Sequence, residues 1–283
     1  MPTKIPWTEK TWNPTIGCSK VSPGCTNCYA ERFAWRLKNM SIDQTGGHPE
    51  YQSVVDKNGW TGKVELCYHR LDLPLHWRKS RMVFVDSMSD LFHEEVSGVF
   101  IEAVFDTIRQ CPQHQFQILT KRIERAVNFS DMISQYANLW LGVTVENNRY
   151  LPRINELLKI SAAVRFVSVE PMLGQVKLNH IKTNEKTLDC LRGKATYPDE
   201  PKTGYFGNCI HWVIIGAESI GSHAGRECKL EWVRDLVGQC KAVGVPVFVK
   251  QLHINGILSK NIAEWPEWAR RREYPKLKAN GVE

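Results

Sequence analysis

Eight short apolar runs punctuate the chain. They are WNPTIGC (12–18), KVELC (63–67), MVFVDS (82–87), FQILTK (116–121), LWLGVTVEN (139–147), VRFVSVEP (164–171), HWVIIGAES (211–219) and VPVFVKQ (245–251). Runs of four to six β-branched and aromatic residues, with no polar alternation, predict strands buried on both faces. Amphipathic stretches fit between them. Val96, Val99, Phe100, Val104, Ile108 and Cys111 recur at helical spacing, and residues 230–244 do the same before Gly244, a helix-stop residue. Strands alternating with helices imply a parallel sheet with right-handed crossovers. The expected fold is therefore α/β: a (β/α) barrel of TIM type, eight-stranded if every run is a strand and an open six-stranded barrel if one or two are not. Two stretches break the pattern. Residues 174–209 lack sustained periodicity and read as an irregular insertion, a length that is uncommon in compact domains unless functional or mobile. Residues 264–283 combine two Trp, two Pro and an Arg run, and read as a tail packed by its aromatics. The expected organisation is a barrel over 1–251 carrying the insertion, then a C-terminal extension over 252–283.

Six of the apolar runs end in polar groups: Asp86-Ser87, Thr120-Lys121, Glu146-Asn147, Glu170, Glu218-Ser219 and Lys250-Gln251. In a parallel barrel all of these point to one rim, where barrel enzymes build their sites. Each alone is explained equally well as the N-cap of the following helix. Together they favour a shared polar mouth. Glu146, Glu170 and Glu218 are costly to bury unpaired, which favours a functional role for them. Lys121 and Arg122 suit an anionic group or a solvated helix start. For Asp86, Ser87 and Asp90 helix capping is a strong rival, and Arg226 reads as readily as part of a surface loop.

Composition narrows the class. The chain has 283 residues, 42% hydrophobic, enough for a sizeable core. Its net charge of +7 permits an anionic partner without demonstrating one. Residues 1–40 hold six Lys/Arg against two Asp/Glu, so more than half of that surplus lies there. No apolar run is long enough for a membrane span, and the first residues lack a signal-peptide core, so a cytoplasmic protein with no membrane partner is expected. Nine cysteines without a secretory signal point to thiols kept for metal or redox chemistry rather than to disulfides.

That chemistry is concentrated in TWNPTIGCSKVSPGCTNCYAE (11–31), where Cys18, Cys25 and Cys28 form a C-x6-C-x2-C array. Ser22-Pro23-Gly24 supplies a turn that folds the loop back, and a helix is expected to start near Tyr29. A helix N-terminus and the local basic excess favour thiolates. Three centres compete. Structural zinc takes four ligands, and no second knuckle exists, so Cys67 or a histidine would have to complete it. A redox dithiol needs only Cys25 and Cys28 and leaves Cys18 unexplained. A [4Fe–4S] cluster on three thiolates uses all of them and leaves one iron open. His48, His69, His76 and His93 show no ligand spacing. Cys111, Cys190, Cys209, Cys228 and Cys240 are scattered, with Cys111 and Cys240 on apolar helix faces.

A three-cysteine loop after the first strand of a (β/α) barrel, with an aromatic directly after the third cysteine, resembles the radical S-adenosylmethionine (SAM) superfamily. More closely, TWNP-IGC-(x6)-C-x2-CYAE, FVDSMSDLFHEEV, FQILTKR, LWLGVTVEN, VRFVSVEPMLG, WVIIGAES and VPVFVKQ, from residue 11 to about 251, resemble a phage- and prophage-associated radical-SAM-like group of unassigned function. The resemblance implies that Cys18, Cys25 and Cys28 ligate a [4Fe–4S] cluster and that Tyr29 lies against the SAM adenine. Ser87, Lys121, Glu146, Glu170, Glu218 and Ser219 would complete the cofactor site. Lys121 would meet the SAM carboxylate, and the three glutamates its ribose hydroxyls or ammonium. It implies an electron donor such as flavodoxin or ferredoxin, and reductive cleavage of SAM to methionine and a 5′-deoxyadenosyl radical. Two features depart from the superfamily. Its usual first gap is three residues and here it is six, and its Gly-Gly-Glu element after the second strand has no match near HRLDL, with Gly216-Ala217-Glu218 resembling it only on a late strand.

The expected substrate is a nucleic acid or a nucleotide-bearing molecule. The basic first 40 residues suit a phosphate backbone, and the 174–209 insertion with Trp265, Trp268, Arg270, Arg271 and Arg272 offers faces that stack on bases. The alternative for the tail is that it plugs the barrel bottom. Two other classes compete: a zinc- or cluster-stabilised non-enzymatic barrel that binds nucleic acid or protein, and a hydrolytic barrel with a catalytic metal, which is short of His and Asp ligands at the strand ends.

Overall fold

The computed structural model describes residues 3–40, 48–197, 203–205, 207–278 and 281–282. Its centre is a mixed α/β arrangement around a mostly parallel eight-stranded sheet. The strands are β1 (Lys10–Trp12), β2 (Met82–Val85), β3 (Gln115–Thr120), β4 (Leu139–Thr144), β5 (Val164–Val169), β6 (Trp212–Gly216), β7 (Val247–Ile254) and β8 (Ile257–Ser259). Their order across the sheet is their order along the chain. Pairing is parallel for β1–β2, β2–β3, β5–β6 and β6–β7, and antiparallel for β7–β8. Every residue of β4, β5 and β6 is buried, which is why these runs are apolar without alternation.

Six of the eight expected strands belong to this sheet, and two expectations fail. The run over 12–18 divides: β1 stops at Trp12, and Thr15–Ile16 leaves to pair antiparallel with Glu65–Leu66 in a separate two-stranded ladder. Pro14 has no N–H to continue a ladder, and its carbonyl instead accepts the Cys67 N–H. KVELC is thus the partner of that small ladder and not a strand of the main sheet. The eighth strand is β8, which turns back on β7 through Asn255-Gly256, both at positive φ. The sheet therefore runs from β1 to an antiparallel hairpin, and closure into a ring is not among its pairings.

Helices form where the spacing predicts. α1 (Tyr29–Lys38) follows Cys28 directly. α2 (Gly98–Gln110) starts after Ser97, whose hydroxyl accepts the Phe100 N–H at 3.3 Å. α3 (Leu230–Lys241) stops short of Gly244, which takes the left-handed φ of +75°. None of the described helices is long and apolar enough to cross a membrane.

The chain divides into two compact units, one of 1–126 with 138–140 and one of 127–137 with 141–283. In the first, Ile16, Ala30, Ala34, Val54, Val55, Cys67 and Met88 form a small core beside α1. The second holds the insertion and the tail. Part of the insertion is regular. Ile181–Lys182, Thr187–Asp189, Lys194–Thr196 and Thr203–Tyr205 form a four-stranded antiparallel sheet, with Ile181, Leu188 and Ala195 inward and Lys182 and Thr196 outward. Strands of two or three residues are too short for their alternation to register in sequence. Residues 198–202 and 206 of the insertion, and 279, 280 and 283 of the tail, lie outside the described residues.

The tail is stitched along β7. The Arg271 carbonyl accepts the Val249 N–H, and the Glu273 N–H donates to the Val247 carbonyl. Trp265 is buried and donates its indole N–H to Ser259 Oγ at 3.1 Å. Arg272 lies over both Phe248 and Trp265, and Tyr274 stacks on Trp212 at 5.4 Å. Trp265→Ala is therefore expected to cost about 3–5 kcal/mol in urea unfolding and to expose the chain beyond residue 259 to limited proteolysis. A change below about 1 kcal/mol would show that the tail packs on nothing that matters to stability.

Candidate functional site

The first unit gathers its polar residues at the carboxyl ends of β1, β2 and β3. Asn13 follows β1 and accepts a hydrogen bond from Ser87 Oγ at 3.0 Å. Asp86 follows β2 with φ +56°, a strained conformation for a non-glycine residue. Its Oδ1 accepts the Thr15 N–H at 2.9 Å, and among the described residues its buried Oδ2 has no partner. Burial pushes the Asp86 carboxyl up to about 8, against the Thr15 N–H and the nearby Thr15 hydroxyl, which favour ionisation. That hydroxyl lies close but makes no aligned hydrogen bond. The Ser87 carbonyl accepts the Tyr29 hydroxyl at 2.8 Å, tying the start of α1 to the end of β2.

Asp90 is not a helix cap. Its Oδ1 accepts Thr120 Oγ1 at 2.7 Å and the Phe92 N–H, and its Oδ2 accepts the Lys121 N–H and Arg122 Nη1. Arg122 is buried with every face of its guanidinium engaged. Nε donates to Glu94 at 2.9 Å, Nη2 to the Ser19 carbonyl at 3.1 Å and hydroxyl at 2.7 Å, and Nη1 approaches Cys18 Sγ at 3.8 Å. His93 Nδ1 accepts the Glu95 N–H, so Nε2 carries the proton that it donates to Ser19 Oγ at 2.8 Å. Burial and the Arg122 charge keep that imidazole below its ordinary value and neutral.

These contacts fix the loop that carries the thiols. Gly17, just before Cys18, has φ +107°, and a Cβ there would meet the Lys63 carbonyl oxygen at 2.3 Å. Its N–H donates to the Met88 carbonyl and its own carbonyl accepts Ser89 Oγ at 2.6 Å. Cys18, Cys25 and Cys28 are reduced, partly buried and close enough that the charges of the other two act on Cys18. Burial, and then Asp90, push the Cys18 thiol up to about 12 despite Arg122. Burial also raises Cys25, but Lys121 and hydrogen bonds from Val21 and Ser22 outweigh it, and the net direction is down. Cys28 packs against the small core under α1. Among the described residues no three His, Cys, Asp or Glu side chains converge on one point as a metal requires. The donor set nevertheless suits a cationic metal centre: three soft thiols on one anchored loop, with Lys121 and Arg122 beside them to balance thiolate charge.

The second unit has its own polar centre, at the carboxyl ends of β4 to β7. Glu146 is fully buried and paired with Arg153, whose Nη1 donates to Glu146 Oε2 at 3.1 Å and to the Thr144 carbonyl at 2.8 Å. Glu170 pairs with Lys250. A Cβ on Gly216 would meet Glu170 Cδ at 2.9 Å, so only glycine lets that carboxylate lie across the end of β6. Glu218 accepts the Arg226 backbone N–H at 2.9 Å and its Nε at 2.8 Å. These bonds, against burial, hold the Arg226 guanidinium above its ordinary value, and Glu146 is near enough to add to them. Ser219 opens a short hairpin to His223–Ala224 between the two partners.

A model of a protein family of unknown function, DUF5131, matches residues 2–264. The chain belongs to this family. No curated protein and no solved structure matches it.

In this DUF5131 protein the site residues fall into two groups. The first unit brings Cys18, Cys25, Cys28, Tyr29, Ser87 and Lys121 together, and the second brings Glu146, Glu170, Glu218 and Ser219 together. Three residues matter more than their sequence context suggested. Arg122 is the hub of the loop, His93 is its buttress, and Arg153 neutralises Glu146. Arg153 was legible only as a cation seven residues after a buried acid. Asp86 gives the sharpest test. The native state holds an extra proton between about pH 4 and 8, so stability should fall as pH rises through that window, by up to about 1.4 kcal/mol per pH unit. Asp86→Asn, neutral throughout and tolerant of positive φ, should flatten that slope in urea unfolding at about pH 5 to 8. A parental profile already flat there would show that Asp86 is ionised.

Proposed function

We propose that this DUF5131 protein is a radical SAM-type enzyme whose sheet is an open barrel, with a [4Fe–4S] cluster held by Cys18, Cys25 and Cys28. The observation that carries the reading is the thiol loop itself: three cysteines, hinged by Gly17 and clamped by Arg122, beside the carboxyl end of β3. Strand order that follows chain order supports a barrel-type winding. When bound, such a cluster supplies one electron to the sulfonium of SAM, releasing methionine and a 5′-deoxyadenosyl radical.

The chain's own residues have separate tasks. Gly17 and Arg122 hold Cys18 in place, and Arg122 and Lys121 balance the charge of the thiolates. Tyr29, about half exposed with its hydroxyl tied to Ser87, offers a ring face to an adenine. Lys121 is the cation that suits the SAM carboxylate. Within the second unit, Glu170, partly exposed with Lys250, is more open to a ligand hydroxyl or ammonium than Glu146, which Arg153 already occupies. Glu218 and Ser219 belong with Glu170 to the polar centre of the second unit. The electron comes from an external donor such as flavodoxin or ferredoxin.

Anaerobic reconstitution tests this directly. The expected result is about four irons per chain, an iron–sulfur absorption band, and 5′-deoxyadenosine when dithionite and SAM are added. Cys18→Ala, Cys25→Ala and Cys28→Ala should each abolish iron uptake. Cys190→Ala should not, because that thiol is buried and donates to the Leu178 carbonyl. Tight zinc with no iron uptake would favour the metal-stabilised, non-enzymatic reading instead.

A further inference from the structure

α1 is amphipathic in an unusual sense. Its inward side is Ala30, Ala34 and the partly buried Leu37, packed on the small core of the first unit. Its outward side is neither acidic nor aliphatic. Phe33 is 47% exposed and Trp35 40% exposed, with Arg32 and Arg36 between them. On a helix, neighbours are three and four residues apart, so Trp35, Arg32, Arg36 and Phe33 form one continuous band. The helix's single acid, Glu31, points elsewhere: it pairs with Lys20 and accepts the Trp60 N–H at 3.0 Å. Arg36 takes part in none of the ion pairs among the described residues. Lys38, whose ammonium donates to the Gln52 and Val55 carbonyls at 2.7 and 2.6 Å and lies 5.9 Å from the Trp35 ring, adds positive charge only at the edge.

We propose that the outward band of α1 is a docking surface for single-stranded nucleic acid. Exposed aromatic faces stack on unpaired bases whatever their identity, and interleaved guanidiniums take the phosphates. Two such rings with two arginines, and no carboxylate among them, match the alternation of flat apolar base and anionic phosphate along a strand. An apolar protein groove would be matched by Leu, Ile or Val, and the band has none. The arginines stand between the rings, where a strand crossing the helix would bring its backbone. A base buried in a duplex offers no face to stack on, so a single strand is the form recognised. The surface begins next to Cys28, but the inference does not rest on the cluster.

The test is fluorescence polarisation of the full chain, purified anaerobically, with labelled single-stranded oligo-dT, single-stranded oligo-U and a mixed-sequence duplex. Single strands should bind and the duplex should bind at least about ten-fold more weakly. With two or three phosphates neutralised, raising salt from about 50 to 200 mM should weaken single-strand binding about 7- to 18-fold. Phe33→Ala and Trp35→Ala should each weaken binding about five-fold or more, and Arg36→Gln should also lower the salt dependence. Arg109→Gln, on the exposed side of α2, should change nothing, and unchanged melting temperatures would show that the α1 variants are folded. The DNA and RNA arms distinguish the two kinds of strand. Absence of binding at low salt, binding indifferent to the α1 variants, or equal binding of the duplex would overturn the proposal. So would sedimentation showing that Phe33→Ala or Trp35→Ala dissociates a dimer, which would make the band a contact between copies. Binding is measured without SAM, so a failed iron reconstitution leaves this result standing, and the reverse.

Discussion

A guanidinium that leaves water must find an acceptor for nearly every N–H, and much of the first unit is arranged around meeting that demand for Arg122. Removing two charges from solvent costs several kcal/mol per ion and is offset only when geometry and additional hydrogen bonds are good. Here Asp90, Glu94, the Ser19 carbonyl and the Ser19 hydroxyl all serve. Asp90 in turn is held by Thr120 and two backbone N–H groups, so the end of β3, the loop after β2 and the thiol loop are joined in one network. Removing Asp90 or Arg122 would leave the other's buried charge unmatched. The network thereby ties the thiol loop at Cys18 and Ser19, although the loop contains little regular structure. Asp86, four residues before Asp90, shows the other outcome. With the Thr15 N–H as its donor and no cation against it among the described residues, burial pushes the carboxyl toward its protonated form instead.

The second unit meets the same constraint with pairs rather than a hub. Glu146 has Arg153, Glu170 has Lys250 and Glu218 has Arg226. A ligand approaching these carboxylates must exchange an existing partner and not simply fill a waiting acceptor. The exchange is hardest at Glu146, which is fully buried, and easiest at the Glu170–Lys250 pair, where both side chains retain some exposure. Such pairs can still serve recognition, because a ligand cation and a ligand anion together replace both halves. A ligand with only one charge would leave the other half buried and unmatched.

The parts of the fold that were legible are those whose signal is local and repeated. β2 to β7 are apolar runs buried on both faces, and α2 and α3 carry a 3.6-residue period with a Ser97 cap and a Gly244 stop. The parts that were not legible depend on pairing at a distance. Nothing within KVELC distinguishes a main-sheet strand from the partner of Thr15–Ile16, since the choice is made by Pro14, 49 residues before Lys63. The short meander over 181–205 has too few residues per strand for alternation to emerge. At the site, residue types were readable at the strand ends, but partners were not. Arg122 reads equally as an anion binder or a solvated helix start, and Arg153 as an ordinary cation, until the carboxylates they answer are located.

The same limit explains why aromatic and arginine counts mislead. The tail, with Trp265, Trp268 and three consecutive arginines, is a richer candidate for stacking than α1 by composition. Register decides otherwise. The tail runs beside β7, with Val249 donating to Arg271 and Glu273 to Val247, and this delivers Arg272 onto Phe248 and Trp265 and turns Trp265 inward. The ring faces of Phe248 and Trp265 that Arg272 covers are taken up within the fold. On the outer side of α1 Phe33, Trp35 and Arg36 stay exposed, and its inner side packs through Ala30, Ala34 and Leu37. Its larger and more polarisable side chains are left outward because the core beneath it is too small to take them. An arginine-and-aromatic pattern becomes a surface feature only where the underlying core is satisfied by smaller residues, and that condition is met on α1 and not along β7.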